Sequence, residues 1–312
     1  MAKISAYVPE PSQQYSVQNQ RQILEAINTI KDQLNFGYQQ DLVNEQAAFL
    51  QFMYGNQSGV FNPAYASAAG IPYLLAVSEG LIPGVSPVNI FGFSDNVGTT
   101  ASMGGQQVLW ELTGTQAWNL PSSAGQITLV SSSASDNTRA TVLISGVDSS
   151  WNILTESKTL NGTSNVTTTG SFLRINSIIL TVPGTSQTTN VGTITAKIGG
   201  VISAQINPGI GRTQHSAYAV PNGYTYYLNN INAYSGDANG TGYVNYKVQA
   251  TNNDLTYPTT YTVLQTTWQL NFSILRTNPY KYTQKTDVKW EFSVNNGTHN
   301  IGLISEGILV AN

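Results

Sequence analysis

The sequence predicts a mainly β protein in which an N-terminal α-helical segment precedes one or two antiparallel β-sandwich or jelly-roll domains. Three observations support this prediction. Only 9% of the 312 residues are charged, whereas an ordinary globular domain has about 25%. From about residue 120 onward the chain is rich in Thr, Ser, Asn, Gln and Gly, which favour strands and turns. Apolar residues recur at helical spacing only before about residue 54.

Residues 16–54 form the helical part of the prediction. Ser16 can cap a helix, and four apolar residues follow it at 4-3-4 spacing on one stripe: Ile23, Ile27, Ile30 and Leu34. In heptad terms isoleucine occupies both core positions, which favours trimers or higher oligomers of parallel helices. The alternative is a helix that packs this stripe against its own domain. A second helix is predicted from about Gln39 to Tyr54.

Residues 55–87 read as a connector arm that is rich in Gly, Pro and Ala. Its prolines exclude one continuous helix. Its apolar content is higher than a free linker would have, so we expect an ordered arm that docks on a partner. The docking residues predicted for this arm are Phe61, Tyr65, Tyr73, Leu74 and Leu75.

From Val88 onward the chain is a succession of short strands separated by turn signals such as Asn-Gly pairs. The segment 171–182 reads as one strand. In the segment 287–294, apolar residues alternate with polar ones, which predicts a strand with one buried and one solvated face. The predicted domains are 1–54 for the helices, 55–87 for the connector, 88–200 for a first β-sandwich and 201–312 for a second.

The charge pattern excludes several classes of partner. The net charge of −3 is spread along the chain without a basic block, so no nucleic acid is expected as a partner.

The longest apolar run, around Ile71–Val77, contains Pro72 and is too short to span a bilayer, so no membrane insertion is expected. The N-terminus lacks the apolar stretch of a Sec-type signal peptide. A protein so poor in charge suits an assembly in which its surface contacts copies of itself.

The sequence offers no recognisable catalytic set, and we predict no enzymatic activity, no cofactor and no metal. The chain has no cysteine and two histidines, His215 and His299, neither of which lies in a nucleophile motif. Both are interpreted as structural. Carboxylate pairs for glycoside hydrolysis could come from Glu111 with Asp148 or from Asp287 with Glu291. The second pair shares a strand face with Lys289, which is typical of a solvated face.

Tyrosine is abundant in the second β region. The residues concerned are Tyr218, Tyr224, Tyr226, Tyr227, Tyr234, Tyr243 and Tyr246. Tyrosine with Asn and Ser can form a recognition surface for a glycan, but tyrosine at alternating positions is also ordinary strand filler. Both interpretations stay open at this point.

Residues 88–312 carry a resemblance to a known group of proteins. The phrases VLISGVDSSWNILTESKTLNGTSN (142–165), AQINPGIGRTQHSAYAVPNGYTYYLNNINAYS (204–235) and VKWEFSVNNGTHNIGLISEGILVAN (288–312) resemble virion structural proteins of tailed bacteriophages, especially those of aquatic and cyanobacterial hosts. The N-terminal helices and the arm are outside this resemblance. It carries over no functional residues.

The resemblance implies a place in the virion. Together with the helical stripe, it leads us to expect a head decoration or cement protein, a homotrimer that binds the major capsid protein or other virion proteins. The alternative is a tail-fibre or receptor-binding protein that recognises host surface glycan through a Tyr-rich face near Tyr224–Tyr246. A neck or connector component is a further alternative, which six-fold or twelve-fold association would favour.

Overall fold

The computed structural model describes residues 20–31, 73–99, 106–110, 120–236 and 242–312. The chain divides into two compact units, Met1–Pro83 and Gly84–Asn312. The described part of the first unit contains helix α1, residues 20–31, and helix α2, Tyr73–Ser78. The predicted helix at 39–54 lies outside the described residues.

The second unit is built from strands. In chain order they are β1 (Val85–Val97), β2 (Gln107–Val108), β3 (Gly125–Ser131), β4 (Thr141–Val147), β5 (Ile153–Thr159), β6 (Val166–Phe172), β7 (Arg174–Val182), β8 (Ile194–Ile198), β9 (Val201–Ile206), β10 (Ala217–Ala219), β11 (Tyr224–Gly236), β12 (Val244–Asn252), β13 (Thr259–Trp268), β14 (Asn271–Tyr282), β15 (Thr286–Val294) and β16 (His299–Ala311). The prediction of a mainly β fold with an N-terminal helix is confirmed.

The described strands form four sheets whose neighbours pair antiparallel. Their orders are β6-β3-β8-β9, β5-β4-β7, β1-β16-β11-β14 and β10-β15-β12-β13, with β2 beside β15. The first two sheets share one apolar core, which includes Ile127, Ile144 and Phe172; we call this sandwich body I, residues 125–206. The other two sheets share a second core around Tyr226 and Trp290; we call this sandwich body II.

Body I is inserted into body II. The chain leaves body II after β2 and returns to it at β10, and β1 pairs with β16 from Val85↔Val310 to Val97↔His299. The segment that leaves body II and the segment that returns to it lie side by side. Two hydrogen bonds join them: the Ser216 N–H donates to the Leu109 carbonyl at 2.9 Å, and the Leu109 N–H donates to Ser216 Oγ at 2.8 Å.

Sheet membership therefore differs from the predicted domains. The strand β1, which the sequence groups with 88–200, lies in body II, and β9, which follows the predicted boundary at 200/201, pairs with β8 in body I. Local patterns show that a strand exists but carry no information about a partner more than 200 residues away.

The predicted strand 171–182 is two strands. Phe172 pairs with Gly125 in one sheet of body I, and Arg174 pairs with Val147 in the other. The chain thus changes sheets at Leu173. The continuous apolar pattern hides this change because β6 and β7 bury side chains in the same core.

The prediction of a solvated face on β15 is wrong. Its apolar residues, such as Trp290, are buried as predicted, but Asp287, Glu291 and Ser293 on the other face are buried too. The strand is central in its sheet, with β12 on one side and β10 and β2 on the other. Polar residues tolerate such burial only when they are paired, and here they are.

Of the four Asn-Gly pairs in the β region, those at 161–162, 222–223 and 296–297 have a glycine with positive φ, but none of the three is a hairpin turn, since the strands on either side of each pair lie in different sheets. Gly162, Gly223 and Gly297 have φ values of 58°, 77° and 63°, in the left-handed region that glycine adopts without steric cost. The fourth pair, Asn239-Gly240, lies outside the described residues.

Candidate functional site

The junction between body I and body II is held by a buried ion pair. Arg174 of β7 donates from Nε and Nη2 to the two carboxylate oxygens of Asp287 on β15, each at 3.0 Å. Its Nη1 donates to the carbonyls of Pro121 and Leu173. A two-pronged arginine–carboxylate contact of this kind fixes orientation as well as distance. The side chains of Arg174 and Asp287 are only 11% and 4% exposed.

Polar contacts extend this junction on both sides of the ion pair. The Asn176 Nδ2 donates to the Ala219 carbonyl at 3.0 Å, and the Ala219 N–H donates to Asn176 Oδ1 at 2.8 Å. The Asn222 N–H donates to the Trp151 carbonyl at 2.7 Å. An asparagine side chain here replaces a backbone partner for Ala219, so both main-chain polar groups at this position are satisfied.

Within body I, the close approach of β4 to β7 next to the junction requires a glycine. A Cβ at Gly146 of β4 would collide with the backbone carbonyl of Arg174. Because the obstructing atoms belong to the backbone, a larger residue would have to move β7 and with it the Arg174 guanidinium.

A cleft of about 380 Å³ lies beside this junction. It is bounded by β1, by the body I strands β4, β5 and β7, and by the segment that leads into β10. Its polar lining includes Asn89, Thr155, Ser177, Arg212 and His215, and its apolar lining includes Phe91 and Ile153. The volume is within the usual range of small-ligand sites, about 300–1,000 Å³.

Arg212 is a charged lining residue of the cleft, and its guanidinium is held in one orientation. Its guanidinium carbon lies 4.1 Å from the centre of the Phe91 ring, a cation–π contact that orients the group. Among the residues that the structure describes, no Asp or Glu lines the cleft. The arrangement therefore suits an uncharged polar or an anionic ligand better than a cation.

Both histidines are buried. Burial lowers the pKa of His215 to about 4, opposed by a hydrogen bond with the Ile175 backbone and assisted by the positive charge of Arg212. His299 lies 3.0 Å from Ser235 Oγ through Nδ1. These positions agree with the structural interpretation of both residues.

The acidic residues considered for catalysis have structural partners where they are described. Asp148 Oδ1 accepts the N–H groups of Ser150 and Asn152 at 2.8 and 2.9 Å, which shapes a turn. Glu291 lies 2.9 Å from Lys247 and 3.1 Å from Lys289. Glu111 lies outside the described residues.

The pair Asp287 and Glu291 also has the wrong spacing for glycoside hydrolysis. Four residues along one strand span roughly 13 Å, whereas the two carboxyl groups of a glycosidase are about 5–9.5 Å apart. Within the described residues, no group of three His, Asp or Glu side chains could hold a metal ion.

The sequence did not indicate one further acidic residue that is held by structural hydrogen bonds, Asp136. It is fully buried in a loop of body I. Its carboxylate accepts Ser131 Oγ at 2.6 Å and the N–H groups of Val191 and Gly192 at 2.9 and 2.8 Å. The only signal in the sequence was an acidic residue inside the Ser-rich run 131–138.

The tyrosines divide between core and surface. Tyr226 and Tyr246 are fully buried, whereas Tyr234 and Tyr243 are nearly half exposed. Burial raises the pKa of both core tyrosines well above the ordinary value. Tyr234 lies against Gly302 of the neighbouring strand, where a Cβ would collide with its ring. The interpretation as strand filler is correct for the two buried residues.

Five of the six predicted docking residues that the structure describes are exposed. Ile23 and Ile27 of α1 are 45% and 55% exposed, and Ile30 is half-buried. In α2, Tyr73, Leu74 and Leu75 are exposed. Leu34, Phe61 and Tyr65 lie outside the described residues. Among the described helices, none is long and apolar enough to cross a bilayer.

Comparison with protein-family models and with curated proteins finds no match. Solved structures that match include one titled "Structure of infectious bursal disease virus Gt strain", at 12% identity over 73% of each chain and a TM-score of 0.18. An alignment at this TM-score establishes neither a shared fold nor a shared role.

We expect the loss of one partner of the junction ion pair to destabilise the protein strongly, because the other charge is left buried and unpaired. Asp287→Ala leaves Arg174 buried without its carboxylate, which costs roughly 3–5 kcal/mol. The control is Asp254→Ala, which removes the partner of Lys285 at the surface and should cost much less. Denaturant unfolding at pH 7 measures both; equal losses for the two variants would contradict this account of the junction.

We expect stability to fall on acidification because of His215. Its native pKa of about 4 is below the ordinary value of about 6.5, so the unfolded chain takes up the proton first. The contribution is full above pH 6.5 and is lost as the pH falls toward 4. Between pH 7.5 and 4.5 the native protein should lose roughly 2–3 kcal/mol more than His215→Gln. Parallel losses for the two proteins would contradict the prediction.

Proposed function

We propose that this protein is a structural component of a tailed-bacteriophage virion, and that it decorates and cements the head as a homo-oligomer. The observation that carries the proposal is the apolar side of α1. Ile23 and Ile27 project to solvent, and water-exposed isoleucines at core positions of a heptad favour association with further helices.

The low charge of the chain supports the same proposal. Interface centres are depleted in charged residues, and a surface that must meet copies of itself avoids unpaired charges, whose burial is costly. Within the described part of the Gly84–Asn312 unit, Asp136, Asp287 and Glu291 are buried in structural contacts. They therefore add little charge to the surface.

The architecture suits a passive mechanical role. Body I and body II are joined by an ion pair, by side-chain contacts to the backbone and by an inserted topology. The two bodies can therefore transmit load together between neighbouring subunits. In the proposed arrangement, the α1 stripe supplies apolar area for a trimer. The exposed residues of α2, Leu74 and Leu75 among them, supply area for the major capsid protein. Stable contacts of this kind bury about 1,200–2,000 Å².

The association step can be tested on the purified full chain. We expect Ile23→Ser/Ile27→Ser to convert the oligomer to monomer, because each of the two core positions of the heptad loses one of its two apolar side chains. The control is Leu24→Ser, which removes an apolar residue that is 61% exposed but lies outside the stripe. Sedimentation velocity measures the species present.

A monomeric native chain, or equal effects of the two variants, would contradict association through the stripe. Six-fold or twelve-fold association would move the assignment to the neck or connector. The location within the particle follows from cryo-electron microscopy of virions: density at three-fold or quasi-three-fold positions of the head supports cementing, whereas density confined to the tail contradicts it.

A second candidate function is receptor binding, and the cleft beside the junction favours it. The cleft combines one oriented cation, Arg212, with polar side chains such as Asn89 and Thr155, which suits a sugar that carries a carboxylate. The Tyr-rich face expected from the sequence supports it less, since Tyr226 and Tyr246 are in the core.

The cleft makes this candidate testable by itself. Saturation-transfer NMR with uronic and sialic acids should give signals that Arg212→Gln abolishes, while neutral sugars of the same size give weaker signals. Lys281→Gln on β14, away from the cleft lining, removes a surface cation as a control. Equal signals from the native chain and Arg212→Gln would contradict recognition by this cleft.

A further inference from the structure

Among the strands that the structure describes, β13 and β14 lie one after the other in the chain and are edge strands of different sheets of body II. An edge strand presents unpaired N–H and C=O groups that can pair with another strand, and proteins usually block it with charge, proline or a bulge. The two edges differ in this respect.

The strand β14 is well blocked. It contains Arg276, Pro279 and Lys281. Between the pairs Asn230↔Leu275 and Leu228↔Tyr280, it holds four residues opposite one of β11. This bulge interrupts the regular strand backbone. Arg276 is held across it, because its guanidinium carbon lies 3.7 Å from the centre of the Tyr280 ring. An incoming strand would meet a charge and an irregular backbone.

The strand β13, TTYTVLQTTW, has ten residues without a charge, a proline or a glycine. Among the described strands that end a sheet, it is the longest of this kind; β9 has six such residues and β10 three. Its one irregularity is the extra residue Val263 between the pairs Val248↔Leu264 and Gln249↔Thr262. Thr259–Thr262 are exposed on both faces of the strand.

The composition of β13 makes a second copy of itself a suitable partner. An uncharged strand meets no like charge when it pairs with its own copy, whereas β14 would set Arg276 and Lys281 against theirs. Threonine and tyrosine also form favourable cross-strand pairs, as Thr251 and Thr260 do within the sheet, with their hydroxyls 2.9 Å apart.

We propose that β13 is a self-association edge, where two copies of the protein pair β13 antiparallel about a two-fold axis and join their sheets into one. Antiparallel pairing follows from the hydrogen bonds: opposed residues of antiparallel strands exchange N–H and C=O groups, whereas a two-fold axis along the strand would set each donor against its own copy. The axis must pass between one residue and the same residue of the second copy.

This contact is weak in isolation and strengthens when subunits are already held together. Ten residues extend over roughly 34 Å, and one strand pair buries much less than the 1,200–2,000 Å² of a stable interface. Linked subunits raise the effective concentration of the second contact. The inference rests on β13 alone, so it stands or falls separately from association through the α1 stripe.

Because the chain contains no cysteine, single cysteines report the pairing directly. The test places one cysteine at a time along 259–267 of the full chain and measures disulfide dimers under mild oxidation. A disulfide needs Cβ atoms within about 3.5–4.5 Å, so the position on the axis should react roughly tenfold faster than its immediate neighbours. Leu275→Cys on the exposed part of β14 is the control and should react slowly.

A second pair of variants separates strand pairing from chance collision. With the reactive cysteine in place, two lysines on β13, Thr262→Lys and Gln265→Lys, should slow dimer formation roughly tenfold through like-charge repulsion. If the reactive cysteine is at 262 or 265, the lysine planned for that position is placed at 267 instead, as Thr267→Lys. The control adds the same charge to β14 as Leu275→Lys and Thr277→Lys and should have no effect. A flat profile along 259–267, or equal effects of the two lysine pairs, overturns the proposal.

Discussion

The pairing of β1 with β16 is the contact on which the Gly84–Asn312 unit depends. It joins residues as far apart as Val85 and Val310. This pairing closes body II around the segment that contains body I, which makes body I an insertion. Long-range strand pairing of this kind must overcome a large loss of chain entropy. Ser216 reduces the freedom of the inserted part, since it bonds to Leu109 at the exit and donates to the Trp290 carbonyl at 2.6 Å.

The same closure explains where the charged residues lie. Inserting body I brings β7 against β15, so Arg174 and Asp287 meet 113 residues apart in the chain. A buried pair of this type gives specificity of orientation more than net stability. The cleft with Arg212 exists for the same reason, because its walls come from both bodies.

The proposed roles share one physical basis, which is a surface with little charge and with apolar or hydrogen-bonding groups left unpaired. The α1 stripe offers side chains to other helices, and the β13 edge offers backbone groups to another strand. Two contacts of different symmetry on one chain allow an extended network, which suits a protein that covers a shell. A single two-fold or three-fold contact would give only a closed oligomer.

The sequence by itself determined the β class, the position of most strands and the turns at Gly162, Gly223 and Gly297, because alternation and glycine conformation are local properties. It determined the apolar spacing of α1 for the same reason, whereas the exposure of Ile23 and Ile27 is seen only in the structure. Only the tertiary structure decided that β1 belongs to body II, that the segment 171–182 changes sheets, and that both faces of β15 are buried. Strand partners are chosen by hydrogen bonds that every backbone offers equally, so the choice depends on how the whole chain closes. The cleft followed from that closure, and the contacts of Asp136 with Val191 and Gly192 followed from the folding of body I; no local pattern could predict either.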